Sequence, residues 1–211
     1  LSIQPLGAGS AMSNGMMPCD GRDFSSSSAS DRIPQPESAH SRLLVLTGDG
    51  KGKTSSASGM LLRAVGHGHR AVLARFLKAR PSGEVAVLER VGVEVVGGGR
   101  GFLPANSASE AFARHARTAD QAWSDAASIL RSIEGPALVV LDEICTAMSR
   151  GALDHDRVRE VLQEPREGVA VVCTGRGAPR WLCELADTVS EVVCRKHAYQ
   201  AGIPATKGVE L

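Results

Sequence analysis

The stretch LTGDGKGKTSS, Leu46 to Ser56, constrains the fold of this chain more than any other. Before it runs RLLVLT (Arg42 to Thr47), an aliphatic segment that suits a buried strand. After it, from Lys53, Ala57, Met60, Leu61 and Ala64 share one helical face, and Gly66 and Gly68 punctuate the end. A glycine-rich turn between a strand and a helix is the context a phosphate-binding loop requires. The common loop places four residues between its first glycine and the closing Gly-Lys-Ser/Thr. Here only three separate Gly48 from Gly52, before Lys53 and Thr54, and Thr47 stands where the first glycine is expected. Gly48, Gly50 and Gly52 allow a tight turn with N–H groups directed inward, and the helix adds its positive end. Lys53 supplies a point charge, Thr54 a hydroxyl able to hold Mg²⁺, and Lys51 a second cation. The competing explanation is an ordinary glycine turn with solvated lysines.

Beyond the loop, apolar runs and helical stripes alternate. RAVLARFLK (Arg70 to Lys78), VEVVG (Val93 to Gly97), ALVVLDE (Ala137 to Glu143), VAVVCTGRG from Val169 and TVSEVVCRK (Thr188 to Lys196) read as further strands. Helices are expected over 81–90, over 109–133 and over 154–163, the last with Asp154 near its start. In the long one, Phe112, Ala116, Ala119, Trp123, Ala126, Leu130 and Ile133 form a single apolar stripe, so Trp123 is expected in the core. This alternation implies an α/β fold, with helices packed on a mostly parallel sheet. In such sheets ligands bind beyond the carboxyl ends of the strands. Three polar turns lie at strand ends: 47–54, 142–143 and 174–177. Asp142 fits a carboxylate on the Mg²⁺ side, and Glu143 a water-activating or metal-binding group; a helix N-cap pair is the alternative. Arg176, between glycines, either binds phosphate or decorates a surface turn. His67 and His69 are assigned no role.

Composition narrows the partners. With 211 residues, 43% of them hydrophobic, the chain supports one sizeable core. A net charge of +1 and only 3% aromatics argue against nucleic acid and against an anionic membrane. No apolar run is long enough for a membrane span. Cys19, Cys145, Cys173, Cys183 and Cys194 form no CxxC pair and read as reduced thiols in a cytoplasm, with Cys145, Cys173 and Cys194 as small core residues. Residues 1–41, with SSSSAS and few large aliphatics, read as a disordered tail without the apolar core of a secretory signal. Met12, Met16 and Met17, soon after Leu1, leave an upstream or mis-assigned start open.

Five blocks in order carry a resemblance: TGDGKGKTSSASGMLLRAVGHG, LVVLDE, TGRG, LADTVSEV and KHAYQAGIPATKGVEL. Over about residues 42–211 the chain resembles the ATP:corrinoid adenosyltransferases of the bacterial cobalamin pathway, whose own loop is Gly-x-Gly-Lys-Gly-Lys-Thr. The resemblance implies a three-layer P-loop NTPase-like (RecA-like) fold. It implies transfer of the 5′-deoxyadenosyl group of ATP to the Co(I) of a reduced corrinoid, cob(I)alamin or cob(I)yrinic acid a,c-diamide, with tripolyphosphate leaving. ATP then lies in the loop in reverse of the usual direction. Gly48, Asp49, Gly50, Lys51, Gly52, Lys53 and Thr54 surround the phosphates, through their backbone N–H groups and the Lys53 charge, and Arg176 contacts them as well. Thr54 and one of Asp142 and Glu143 hold Mg²⁺, with Mn²⁺ as a substitute. Phe102 in RGFLP resembles an aromatic below the corrin ring that helps remove the lower axial ligand; the alternative is a core residue beside a turn. Where the family often carries Trp two residues later, this chain has Pro104. A flavodoxin-like reductant and a homodimer are further implications. Two other readings stay open: a P-loop ATP hydrolase or small-molecule kinase, resting on Lys53, Thr54, Asp142 and Glu143, and a non-enzymatic corrinoid or nucleotide-binding module.

Overall fold

A computed structural model describes residues 40–79, 82–164 and 166–209. Apart from His40 and Ser41, the tail expected over 1–41 lies outside the described residues, as does Cys19. The elements are β1 (Arg42–Thr47), α1 (Lys53–Gly66), β2 (Arg70–Arg75), α2 (Gly83–Arg90), β3 (Glu94–Gly97), α3 (Glu110–Ser132), β4 (Ala137–Asp142), α4 (Ile144–Ser149), α5 (His155–Leu162), β5 (Val169–Thr174), α6 (Arg180–Leu185) and β6 (Thr188–Glu191), with a 3₁₀ turn at Ala198–Ala201. The six strands form one sheet in the order β3-β2-β4-β5-β1-β6, every neighbouring pair parallel. A parallel sheet covered on both faces needs apolar side chains on both, which is why the central strands read as unbroken aliphatic runs. Period-two alternation divides them. Leu138 and Val140 face Ala57, Leu61 and Ala64 of α1 and Val85 and Leu88 of α2. Val139 and Leu141 face the layer of α3, α4, α5 and α6, with Trp123, Leu130, Met148, Val158 and Leu182. The result is the three-layer architecture of P-loop NTPases.

Local signals place most boundaries. Ser109 caps α3 by accepting a bond from Phe112 N at 3.1 Å, and Asp154 caps α5 from Arg157 N at 2.9 Å. Trp123 is buried, as its stripe predicts. Two strands are shorter than expected. β2 ends at Arg75 rather than Lys78, because its ladder partner β4 ends at Asp142, opposite Arg75. β6 pairs only Thr188–Glu191 with β1 and does not reach Lys196, because β1 ends at Thr47. Two short helices, α4 and α6, follow strand ends where the sequence pattern assigns no helix; six residues each is too short to show a helical period. Cys145 and Cys173 are fully buried, and burial pushes the Cys145 thiol up to about 12 and Cys173 well above its ordinary range. These two thiols are inert packing groups. Cys194, expected in the core, is only partly buried because β6 stops before reaching it.

Candidate functional site

β1, β5 and β4 are neighbours in the sheet, so the three polar turns at their carboxyl ends converge. The first runs from Thr47 to Lys53. Gly48 (φ 92°) and Gly52 (φ 113°) take backbone conformations that an L side chain rarely adopts, and Gly52 is the residue from which α1 starts. The Lys53 ammonium folds back into the turn, donating to Gly48 O at 2.6 Å and Gly50 O at 2.7 Å. Lys53 is only 8% exposed, and burial lowers its pKa, opposed by the nearby Glu143 carboxylate. Lys51 is exposed.

One backbone donor of this turn is already committed within the fold. Gly50 N donates to Val192 O at 2.7 Å, where the chain leaves β6. A Cβ at Gly50 would stand 2.7 Å from the same oxygen, and one at Gly48 2.6 Å from it. These two glycines are therefore required by the close approach of the post-β6 segment as well as by the turn. Gly50→Ala is expected to lower stability by roughly 1–3 kcal/mol through overpacking against that carbonyl. A urea midpoint equal to wild type would show that the post-β6 segment yields freely.

The second turn holds the acidic pair. Asp142 is 2% exposed. Its Oδ1 accepts the Thr54 hydroxyl at 2.8 Å and the Thr174 hydroxyl at 2.8 Å, and its Oδ2 pairs with Lys78 Nζ at 2.9 Å. Lys78 also donates to Thr54 Oγ1 at 2.9 Å. Glu143 sits at φ 68°, the one non-glycine with positive φ among the described residues, and its amide donates to Thr174 Oγ1 at 3.0 Å. Such strain in a glutamate is kept where surrounding bonds hold it. Its Oε2 accepts the Thr146 hydroxyl at 2.5 Å. Glu143 holds the N-cap position of α4, as the helix-start alternative expects, although its side chain makes no capping bond, and Asp142 is the last residue of β4.

The third turn carries Arg176. Its amide donates to Thr146 Oγ1 at 2.8 Å, and its guanidinium lies 3.7 Å from the Asp49 carboxylate across the phosphate-type loop. Both side chains are well exposed, so the pair is an orientation rather than a stabilising bridge. The three turns thus bring Gly48 to Thr54, Asp142, Glu143 and Arg176 together. Phe102 is fully exposed, which removes the core-residue explanation. It extends from a glycine turn whose Gly98, Gly99 and Gly101 amides donate to Arg75 O, Lys78 O and Leu77 O. Arg150 donates to Pro104 O at 3.1 Å and ties the far side of that segment to the end of α4.

The sequence reading missed Lys78, Thr146 and Thr174. Thr174 ends β5 and Lys78 ends the expected run Arg70 to Lys78, at the same end of the sheet as Asp142, and that was the available signal. Thr146 lies in a helix that periodicity did not reveal. Thr54, Asp142 and Glu143 offer only oxygen donors, the set that suits Mg²⁺ or Mn²⁺. Among the described residues no three His, Cys, Asp or Glu side chains gather into a metal cage. Cradle, buried lysine, hydroxyl, carboxylates and arginine together can bind a triphosphate and withdraw charge from it.

The profile of the family described as ATP:corrinoid adenosyltransferase BtuR/CobO/CobP matches residues 39–211. A corrinoid adenosyltransferase of Pseudomonas aeruginosa is 42% identical over 183 residues, 85% of this chain and 88% of the relative. One from Escherichia coli K12 is 36% identical over 180 residues, 85% and 90% of the two chains. The corrinoid adenosyltransferase CobA of Salmonella typhimurium is 36% identical over 184 residues, again 85% and 90%.

Proposed function

Because this chain belongs to the ATP:corrinoid adenosyltransferase family, we propose that it alkylates the Co(I) of cob(I)alamin or cob(I)yrinic acid a,c-diamide with the 5′-deoxyadenosyl group of ATP. Tripolyphosphate is the leaving group, and the pathway is adenosylcobalamin formation or salvage. The observation that carries the reading is the Lys53–Thr54–Asp142 arrangement at a shortened loop.

Co(I) brings the electron pair that forms the cobalt–carbon bond. The C5′–O5′ bond breaks and its electrons go to the triphosphate oxygen. No proton moves in this step, so the residues have charge to stabilise rather than a base to supply. Lys53 moves from the Gly48 and Gly50 carbonyls to phosphate oxygens, and backbone amides of the turn other than that of Gly50 donate beside it. Thr54 and one of Asp142 and Glu143 hold Mg²⁺, which neutralises phosphate charge as a Lewis acid. Arg176, across the turn from Asp49, exchanges that carboxylate for phosphate. One preorganised donor of this kind is typically worth ~3 kcal/mol of barrier, roughly a hundredfold in rate.

The deciding experiment supplies ATP, Mg²⁺ and chemically reduced cob(I)alamin. Adenosylcobalamin and tripolyphosphate are the expected products. Orthophosphate formed without corrinoid would replace this reading with a hydrolase. Corrinoid binding without alkylation would replace it with a carrier.

Phe102, fully exposed on its turn, suits a large flat ligand from outside the fold, and we assign it the lower face of the corrin. Phe102→Ala is then expected to slow Co(II) reduction about tenfold or more, the loss of ~1.4 kcal/mol or more of barrier stabilisation, and to spare alkylation of preformed Co(I). Equal losses in both assays would remove the assignment. The same reading extends to a flavodoxin-like reductant, to a homodimer, to residues 1–41 as a tail outside the catalytic domain, and to a cytoplasm that keeps Cys145 and Cys173 reduced.

A further inference from the structure

Lys78 has no part in the chemistry derived above, yet it touches both groups on the metal side of the site. Its ammonium is 2.9 Å from Thr54 Oγ1 and 2.9 Å from Asp142 Oδ2. The Thr54 hydroxyl gives its hydrogen to Asp142 Oδ1, which leaves its oxygen lone pairs for a cation. Lys78 is the cation that has them. Mg²⁺ on the same oxygen would bind at ~2.0–2.1 Å, close to an ammonium held by that oxygen and by the neighbouring carboxylate. Like charges so placed exclude one another where water is scarce.

The partners differ in freedom. The Asp142 side chain is 2% exposed and tied to two hydroxyls, whereas that of Lys78 is 32% exposed. The Lys78 backbone is itself held, since its carbonyl accepts Gly99 N at 3.0 Å. Only its long side chain is left to swing.

We propose that Lys78 is an internal counter-cation of the metal site. It occupies Thr54 and Asp142 in the nucleotide-free protein and yields that place to a divalent cation arriving with the triphosphate, whose oxygens then take the ammonium. Lys78 is thereby a positioning residue that keeps the two ligands aligned and disfavours metal without nucleotide. The inference rests on reading Thr54 and Asp142 as metal-side groups and not on the transfer reaction itself.

The test uses Mn²⁺ alone, without nucleotide, with free metal measured by electron paramagnetic resonance on the full chain. Lys78→Met is expected to bind Mn²⁺ about tenfold more tightly than wild type, since a competing cation is gone. Lys78→Arg is expected to stay near wild type, because a guanidinium also pairs with Asp142. Unchanged or weaker binding in Lys78→Met overturns the proposal. A second readout needs no variant: the rate at which acetic anhydride labels Lys78 in the wild-type protein, followed by mass spectrometry. Saturating Mn²⁺ is expected to raise it severalfold as the ammonium is released, and an unchanged rate overturns the proposal equally. Failure of the cob(I)alamin assay with these results intact would remove the functional reading and leave this inference standing.

Discussion

Lys53→Ala is expected to lower kcat/KM for adenosyl transfer by at least ~10²-fold while the chain keeps its fold. The ammonium is the charged donor held inside the turn itself, on the Gly48 and Gly50 carbonyls, whereas Lys78 lies on the metal side and Arg176 stands across the loop beside Asp49. Structural loss is expected to be small. Burial already disfavours the charge of Lys53, as its lowered pKa records, so a neutral side chain relieves a penalty while the loop carbonyls turn to water. The measurement pairs the initial rate of adenosylcobalamin formation with a thermal melt followed by circular dichroism. A near-normal rate with a normal melt would take the phosphate role from Lys53. A collapsed melt would make the residue structural instead.

Asp142→Ala is expected to damage both stability and activity. Three donors converge on that carboxylate: the hydroxyls of Thr54 and Thr174 and the ammonium of Lys78. Thr174 is fully buried and loses an acceptor that water does not readily replace. Lys78 can turn to solvent, so the full penalty of an orphaned buried charge does not apply. The expected loss is about 2–3 kcal/mol, read as a lower urea midpoint. Transfer is expected to fall by ~10²-fold or more, because Thr54 loses the group that orients it. Asp142→Asn separates the two effects. Its amide oxygen still accepts the hydroxyls, so most of the stability should return. The charge does not return, so Mg²⁺-dependent activity should stay low. Wild-type stability in the alanine variant would mean that the buried cluster contributes nothing to folding.

Much of the site was legible because its chemistry is local. The glycines, Lys53 and Thr54 lie within one turn, and Asp142 with Glu143 terminates an aliphatic strand whose burial its own composition announces. Arg176 was legible as a polar strand end but not as a neighbour of Asp49. Phe102 is different: resemblance singled it out, and its complete exposure comes from a turn pinned by bonds to residues 75–78, far from it in sequence. Lys78 escaped notice because it reads as the last residue of an ordinary strand, which ends instead at Arg75. Thr146 escaped because its helix has only six residues.

The amino-acid sequence by itself determined the alternation of strand and helix, the phosphate-type turn and the acidic strand end, since each rests on short-range spacing and side-chain type; the family came from resemblance to known proteins. Only the tertiary structure decided which strands adjoin, and hence that the ends of β1, β5 and β4 form one site. It alone committed the Gly50 amide to Val192 and placed the Lys78 ammonium on Thr54 and Asp142. The physical reason is the same in each case. A hydrogen bond or ion pair acts across a few ångströms of space, and groups 24 to 142 positions apart are brought to that range only when the sheet closes.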